Sequence, residues 1–200
     1  MYSHTPGSGP RAWNSTSTNP TSTPDYTEVY FSYSSNLSPQ TMKGRHPHSL
    51  FAGLALLPNW RWTINTEHFA NIVPSTAPQD KVYGALYFIT ALDESGLDDM
   101  EGAPTHYQKQ HLEVTRINAD GSATDQKVTA LVYVDTIRTE EAAIAPEYRV
   151  WIRKAVRDAK PFGLPDGYVE EVIAPHLVGE DGEEDMEPVR VVFSRDAFDR

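Results

Sequence analysis

Residues 82–89 read VYGALYFI, a nearly continuous apolar run without a charged side chain. A strand with one wet face alternates apolar and polar residues, so a run apolar on both faces is a central strand covered from both sides. Gly84 in its middle marks a bulge or a place where something approaches the backbone closely. Directly after the run, Thr90 and Asp93 form a capping-box pair that starts a short helix at Ala91, and Gly102 is placed to stop it.

Working outward, Thr27–Tyr33 (TEVYFSY) reads as an opening strand that ends in the polar turn Ser34-Ser35-Asn36 and leads through Pro39 into a short helix. Ser49–Leu57 and Trp60–Ile64 are apolar, aromatic and β-branched, and Pro58-Asn59 between them predicts two strands with a turn. Downstream, Tyr107–Ile117 and Val128–Asp135 pair through Asn118–Gln126, where Asp120-Gly121 is a hairpin signal. Tyr148, Trp151, Ile152, Ala155, Val156 and Ala159 follow helical spacing and predict an amphipathic helix over Pro146–Lys160. Pro161 and Gly163 end it, and Pro165 opens a shorter one towards Ile173. Strands come mostly first and longer helices last. The expected class is α+β, a small mixed barrel or curved sheet flanked by helices.

The 200 residues divide into a Ser/Thr/Pro-rich tail over 1–25, a folded domain over 26–177, and an acidic tail over 178–200 with a late strand at Val189–Ser194. The first tail is too poor in aliphatic side chains to offset its ordering entropy, so disorder is expected there. The late strand could pair with the domain's own sheet or with a second copy, so a homodimer is an open expectation. Against 17 basic side chains stand 28 acidic ones, a net charge of −11, which works against a binder of nucleic-acid phosphates. No window approaches the roughly 18 apolar residues of a membrane span, and the opening MYSHTPGSGP lacks the features of a secretory signal. Zero cysteines exclude disulfides, thiolate catalysis and zinc–cysteine sites. A soluble, cytoplasmic protein is expected.

Seven histidines raise the question of a metal, but His46, His48, His106 and His111 show no ligand spacing, and packed or solvated histidines account for them better. No GxSxG elbow supports a serine hydrolase. Two local features carry more chemistry. Tyr33-Ser34-Ser35-Asn36-Leu37 closes a strand with small and polar residues, a turn able to present consecutive backbone N–H groups to a carboxylate or an oxyanion. Asp98-Asp99-Met100-Glu101-Gly102 puts Glu101 at a helix C-terminus beside like charges. The macrodipole, the neighbouring acids and apolar burial would each raise its pKa towards that of a group that takes a proton and returns it. Taken singly, each feature is also readable as a plain polar turn or a solvated helix end.

Taken in order, YFSYSSNLS (30–38), VYGALYFI (82–89), LDDMEGAPTHY (97–107) and APEY (145–148) opening a helix that leads to GLP (163–165) resemble the γ-glutamylcyclotransferase family. The resemblance implies a small barrel whose end pocket binds a γ-glutamyl group and releases 5-oxoproline and a free amine, with neither metal nor organic cofactor. It carries the family's essential glutamate onto Glu101, its substrate loop onto Tyr33, Ser35, Asn36 and Leu37, and two pocket tyrosines onto Tyr107 and Tyr148. Free γ-glutamyl amino acids, glutathione and γ-glutamylated intermediates all present the same acyl head, so the resemblance leaves the leaving amine open.

One position departs from the pattern: Ser34 stands where the family's loop has glycine. Were a positive φ required there, a serine would cost on the order of 1–2 kcal/mol, and its side chain would reshape the pocket. An alternative therefore stands beside the cyclotransferase reading. In it the same fold serves another small-molecule cyclisation or isomerisation, or only binds a ligand.

Overall fold

The computed structural model describes residues 24–178. Five strands close into a barrel in the order β1-β5-β2-β6-β7: β1 (Tyr26–Ser32), β5 (Lys81–Thr90), β2 (Leu50–Pro58), β6 (Gln108–Ile117) and β7 (Ala123–Val134). All neighbours are antiparallel except β1 and β7, which close the barrel in parallel where Tyr30 meets Leu131. The remaining strands, β3 (Trp60–Ile64) and β4 (Ala70–Pro74), form a separate two-stranded sheet. The expected α+β class with a barrel-like sheet is the observed one.

The run at 82–89 is β5, hydrogen-bonded on both edges and buried from Val82 to Tyr87; only Phe88 turns outward. Gly84 marks a close approach. A Cβ there would lie 2.5 Å from Cζ of Phe31 and 2.6 Å from the Ser32 carbonyl oxygen. The bulge sits on the facing strand instead, between Phe51 and Gly53, where Gly53 takes φ +108°.

Three elements differ from the sequence reading. β2 and β3 are joined at Asn59, which is left-handed (φ 63°), but they do not pair: β3 leaves the barrel to pair with β4. β4 itself is unannounced, because five residues with a buried Asn71 among them carry too little pattern to register. β7 begins at Ala123, which shortens the hairpin loop to a turn closed by Asn118 donating to Ser122 O and Gly121 donating to Asn118 O.

Three helices pack around the barrel. α1 (Pro39–Arg45) is capped by Ser38, whose Oγ accepts from Thr41 N at 3.0 Å. α2 (Ala91–Glu101) carries the expected capping box, since Thr90 Oγ1 accepts from Asp93 N and Asp93 Oδ2 accepts from Thr90 N. It ends at Gly102 in the left-handed region (φ 60°), a conformation that favours glycine. α3 (Pro146–Ala159) buries the stripe of Tyr148, Ile152, Ala155, Val156 and Ala159. Short helical turns continue from Asp166 to Leu177. The Ser/Thr/Pro-rich segment to residue 23, the acidic run from 179 and the late strand at Val189–Ser194 lie outside the described residues. Among the described residues no helix is long and apolar enough to cross a membrane.

Candidate active site

β1 delivers Tyr30 and Phe31 to one end of the barrel, and the chain then turns at Ser34 into a single helical turn, Ser35–Leu37. Ser34 has φ −119°, so its backbone asks for no glycine and stores no left-handed strain. Leu37 N–H donates to the Ser34 carbonyl at 2.9 Å and closes the turn.

The turn is held from several sides. Trp62 Nε1 donates to the Tyr33 carbonyl at 3.0 Å, and the Tyr87 hydroxyl donates to the Asn36 carbonyl at 2.8 Å. Ser38 Oγ donates to Asp158 of α3 at 2.6 Å. Arg45, the last residue of α1, folds back so that its Nη1 donates to Ser35 Oγ at 2.8 Å and Asn36 Oδ1 at 2.9 Å. Its guanidinium lies over the Trp151 ring, 4.7 Å from the centroid. Sequence reading missed Arg45. It lies nine residues past Asn36, and no local pattern marks the fold-back.

Opposite the turn stands Glu101 at the C-terminus of α2. Its carboxylate takes no protein hydrogen bond among the described residues and faces a cavity. Burial pushes its pKa up from 4.5 to about 7, and the Arg45 charge pulls in the other direction. The cause differs in part from the sequence expectation, in which the neighbouring acids contribute. Asp98 instead pairs with Lys109, 2.6 Å away, and accepts from the Tyr133 hydroxyl at 2.6 Å.

Two tyrosines complete the walls. The Tyr107 hydroxyl donates to the Ala70 carbonyl at 3.0 Å and lies 3.4 Å from Asn65 Nδ2, whose stronger bond is to Asp135 Oδ2 at 2.9 Å. Asp135 in turn pairs with Arg138 Nε at 2.7 Å. Tyr148 stands edge-on to Phe69, 5.0 Å between centroids, and lines the same cavity as Ser34. Burial raises the pKa of both phenols, so each stays protonated and able to donate.

Glu101, Tyr33, Ser34, Ser35, Tyr107 and Tyr148 thus line one narrow cavity of about 60 Å³, together with Arg45, Asn65 and Arg138. Asn36 and Leu37, also expected in the binding loop, do not line it. They are buried behind the wall at 0% and 2% exposure, Leu37 as core and Asn36 as a tie between Arg45 and Tyr87. The histidines are dispersed: His111 pairs with Glu28, His68 bonds the Ala143 carbonyl, and His46 is buried beside α2.

Comparison with solved structures gives the same architecture. An uncharacterised protein from Homo sapiens is similar with a TM-score of 0.64 and 22% identity, over 82% of this chain and 95% of that one. A gamma-glutamyl cyclotransferase is similar with a TM-score of 0.60 and 23% identity, over 72% of this chain and 84% of that one. YkqA from Bacillus subtilis follows at 0.57 and 19%, over 75% of this chain and 54% of that one. No curated protein matches. The family described as gamma-glutamyl cyclotransferase, AIG2-like, matches residues 30–153, from the aromatic end of β1 through the cavity to the middle of α3. The chain belongs to the gamma-glutamyl cyclotransferase, AIG2-like family.

Proposed function

We propose that the protein cyclises the γ-glutamyl group of a small γ-glutamyl compound, releasing 5-oxoproline and a free amine, with Glu101 as the acid/base. The observation that carries this reading is the carboxyl group of Glu101. It faces the cavity without a protein partner among the described residues, in a lining it shares with Ser34 and Ser35 of the turn, and its pKa of about 7 suits it to both halves of a proton transfer.

The substrate's α-ammonium must lose a proton before its nitrogen can attack. Ionised Glu101 accepts that proton. The amine then attacks its own γ-carbonyl carbon, forming the ring C–N bond and placing negative charge on the carbonyl oxygen. Protonated Glu101 returns its proton to the leaving nitrogen as the bond from carbon to that nitrogen breaks, and the carboxylate so freed takes the second proton from the ring nitrogen and passes it to the released amine. The two protons leaving the α-nitrogen end on the leaving amine, so the sequence balances without an added acid or base.

The remaining acceleration comes from shape and charge. Holding amine and carbonyl about 3–3.5 Å apart captures the advantage of an intramolecular reaction. The Ser35 amide is the donor offered to the α-carboxylate or the developing oxyanion, with the Tyr107 and Tyr148 hydroxyls fixing orientation. Incubation with a panel of γ-glutamyl amino acids, peptides and amines tests the reading. Release of 5-oxoproline from at least one supports it, and no release from any member overturns it.

A further inference from the structure

A second, larger cavity runs between the three helices and shares a wall with the first. It is about 680 Å³, within the roughly 300–1,000 Å³ of small-molecule sites, whereas the inner cavity at about 60 Å³ has room for little beyond an acyl head group. Each helix gives one face to it: Thr41 and Gly44 from α1, Leu92 and Gly96 from α2, Trp151 and Lys154 from α3. Arg45 and Met100 line both cavities. The groove therefore follows α2 and α3 towards Glu101 and Tyr148, which sit at the neighbouring ends of those helices.

Its chemistry is specific. The apolar surface comes from Leu92, Met100, Pro47 and the Trp151 ring. The charged groups already have partners: Lys154 bonds Asp158 and Gln40, and the Asp93 carboxylate is held by the backbone and hydroxyl of Thr90. Two polar atoms are left over. His46 and Thr41, 6% and 7% exposed, both line the groove, and His46 Nε2 and Thr41 Oγ1 are buried without a hydrogen-bond partner among the described residues. Buried polar groups without partners are uncommon and call for a partner from outside the chain, which a ligand or an ordered water can supply. Burial also lowers the His46 pKa, so a neutral imidazole offers one donor and one acceptor.

We propose that this groove is the leaving-group site. It receives the amine side of a γ-glutamyl amine whose body is neutral, apolar and about the size of an aromatic ring and bears a hydroxyl or amide, which the Thr41 hydroxyl and the His46 imidazole bind. The assignment rests on the cyclotransferase reading, with the acyl head in the inner cavity and the amine passing the shared Arg45–Met100 wall. Met100, unbranched and flexible, is suited to adjust around that passage.

Gly44 gives the test, because an added Cβ there meets no atom within 4 Å and a larger side chain would grow into the groove. The measurement is kcat/KM for 5-oxoproline release from γ-glutamyl tyramide and from γ-glutamyl methylamide. The ratio of the two is independent of how much of a variant is folded. Wild type is expected to favour the tyramide by about tenfold or more, and Gly44→Phe to collapse that preference by a similar factor. A ratio near one in wild type, or a ratio unmoved by Gly44→Phe, overturns the groove assignment while leaving the cyclotransferase reading standing. Release from neither compound overturns the groove assignment too. Only if the wider panel of γ-glutamyl compounds is also inert does the cyclotransferase reading fall with it.

Discussion

Arg45 and Glu101 reach the same cavity from the C-terminal ends of two different helices, yet no ion pair joins them among the described residues. The guanidinium is occupied by Ser35, Asn36 and the Trp151 ring, and the carboxylate is left free. The arginine acts on the glutamate at a distance, holding its pKa lower than burial alone would. A direct pair would drive the pKa far down and leave the carboxylate too weak a base to take up a proton.

Replacing Arg45 with methionine removes this opposing charge and loosens the turn. The Glu101 pKa then moves further up, so less of the base is ionised at neutral pH. The expected loss in kcat/KM is roughly threefold to tenfold near pH 7, partly recovered above about pH 8. A pH–rate profile of the variant against wild type measures it. A loss that is the same at every pH assigns Arg45 to holding the turn alone.

The glutamate should also carry a stability cost. Its folded pKa of about 7 lies above the unfolded value of 4.5, so between those values the folded state keeps a proton that the unfolded state has lost. Stability contributed by the protonated form is complete below pH 4.5 and is lost as pH rises through 7. Glu101→Gln should be more stable than wild type at about pH 8 by on the order of 2–3 kcal/mol, and should gain little at about pH 4.5. Urea denaturation at the two pH values checks the sign.

Ser34→Gly tests the position that departs from the family pattern. With φ at −119° the serine is unstrained, so glycine brings no relief and adds unfolded-state entropy. The expected outcome is a loss of about 0.5–1 kcal/mol in stability, read by chemical denaturation. A large gain in 5-oxoproline release would instead mean that the serine side chain obstructs the cavity.

Gly84→Ala probes the barrel. The new methyl would sit 2.5 Å from the Phe31 ring and 2.6 Å from the Ser32 carbonyl, and β1 must move to admit it. A cost of about 1–3 kcal/mol or more is expected in chemical denaturation. Because Phe31 also lines the cavity, ligand affinity should fall with stability.

What was legible in the sequence followed from local pattern. The apolar run of β5, the capping box at Thr90 and Asp93, and the stripe along α3 each lie within one window, and each appears where the pattern puts it. Glu101 and the Tyr33–Ser35 turn were legible because they end such elements. The rest depends on chain crossings that no window contains. Asn65 reaches Asp135 across 70 positions, Arg45 folds back across nine to the turn, and β3 finds its partner in a strand too short to announce itself. Asn36 and Leu37 lie behind the cavity wall, which the motif does not reveal because it names residues without saying which face they present.

In the proposed mechanism one carboxyl group, at position 101, moves both protons of a lactam-forming reaction. Mass-spectrometric detection of 5-oxoproline from wild type and Glu101→Gln, side by side on one accepted γ-glutamyl substrate, tests it most directly. Product is expected from wild type, with a loss of at least about 10²–10⁴-fold in the variant, both proteins being folded by circular dichroism. A folded Glu101→Gln variant that releases 5-oxoproline at the wild-type rate would contradict it.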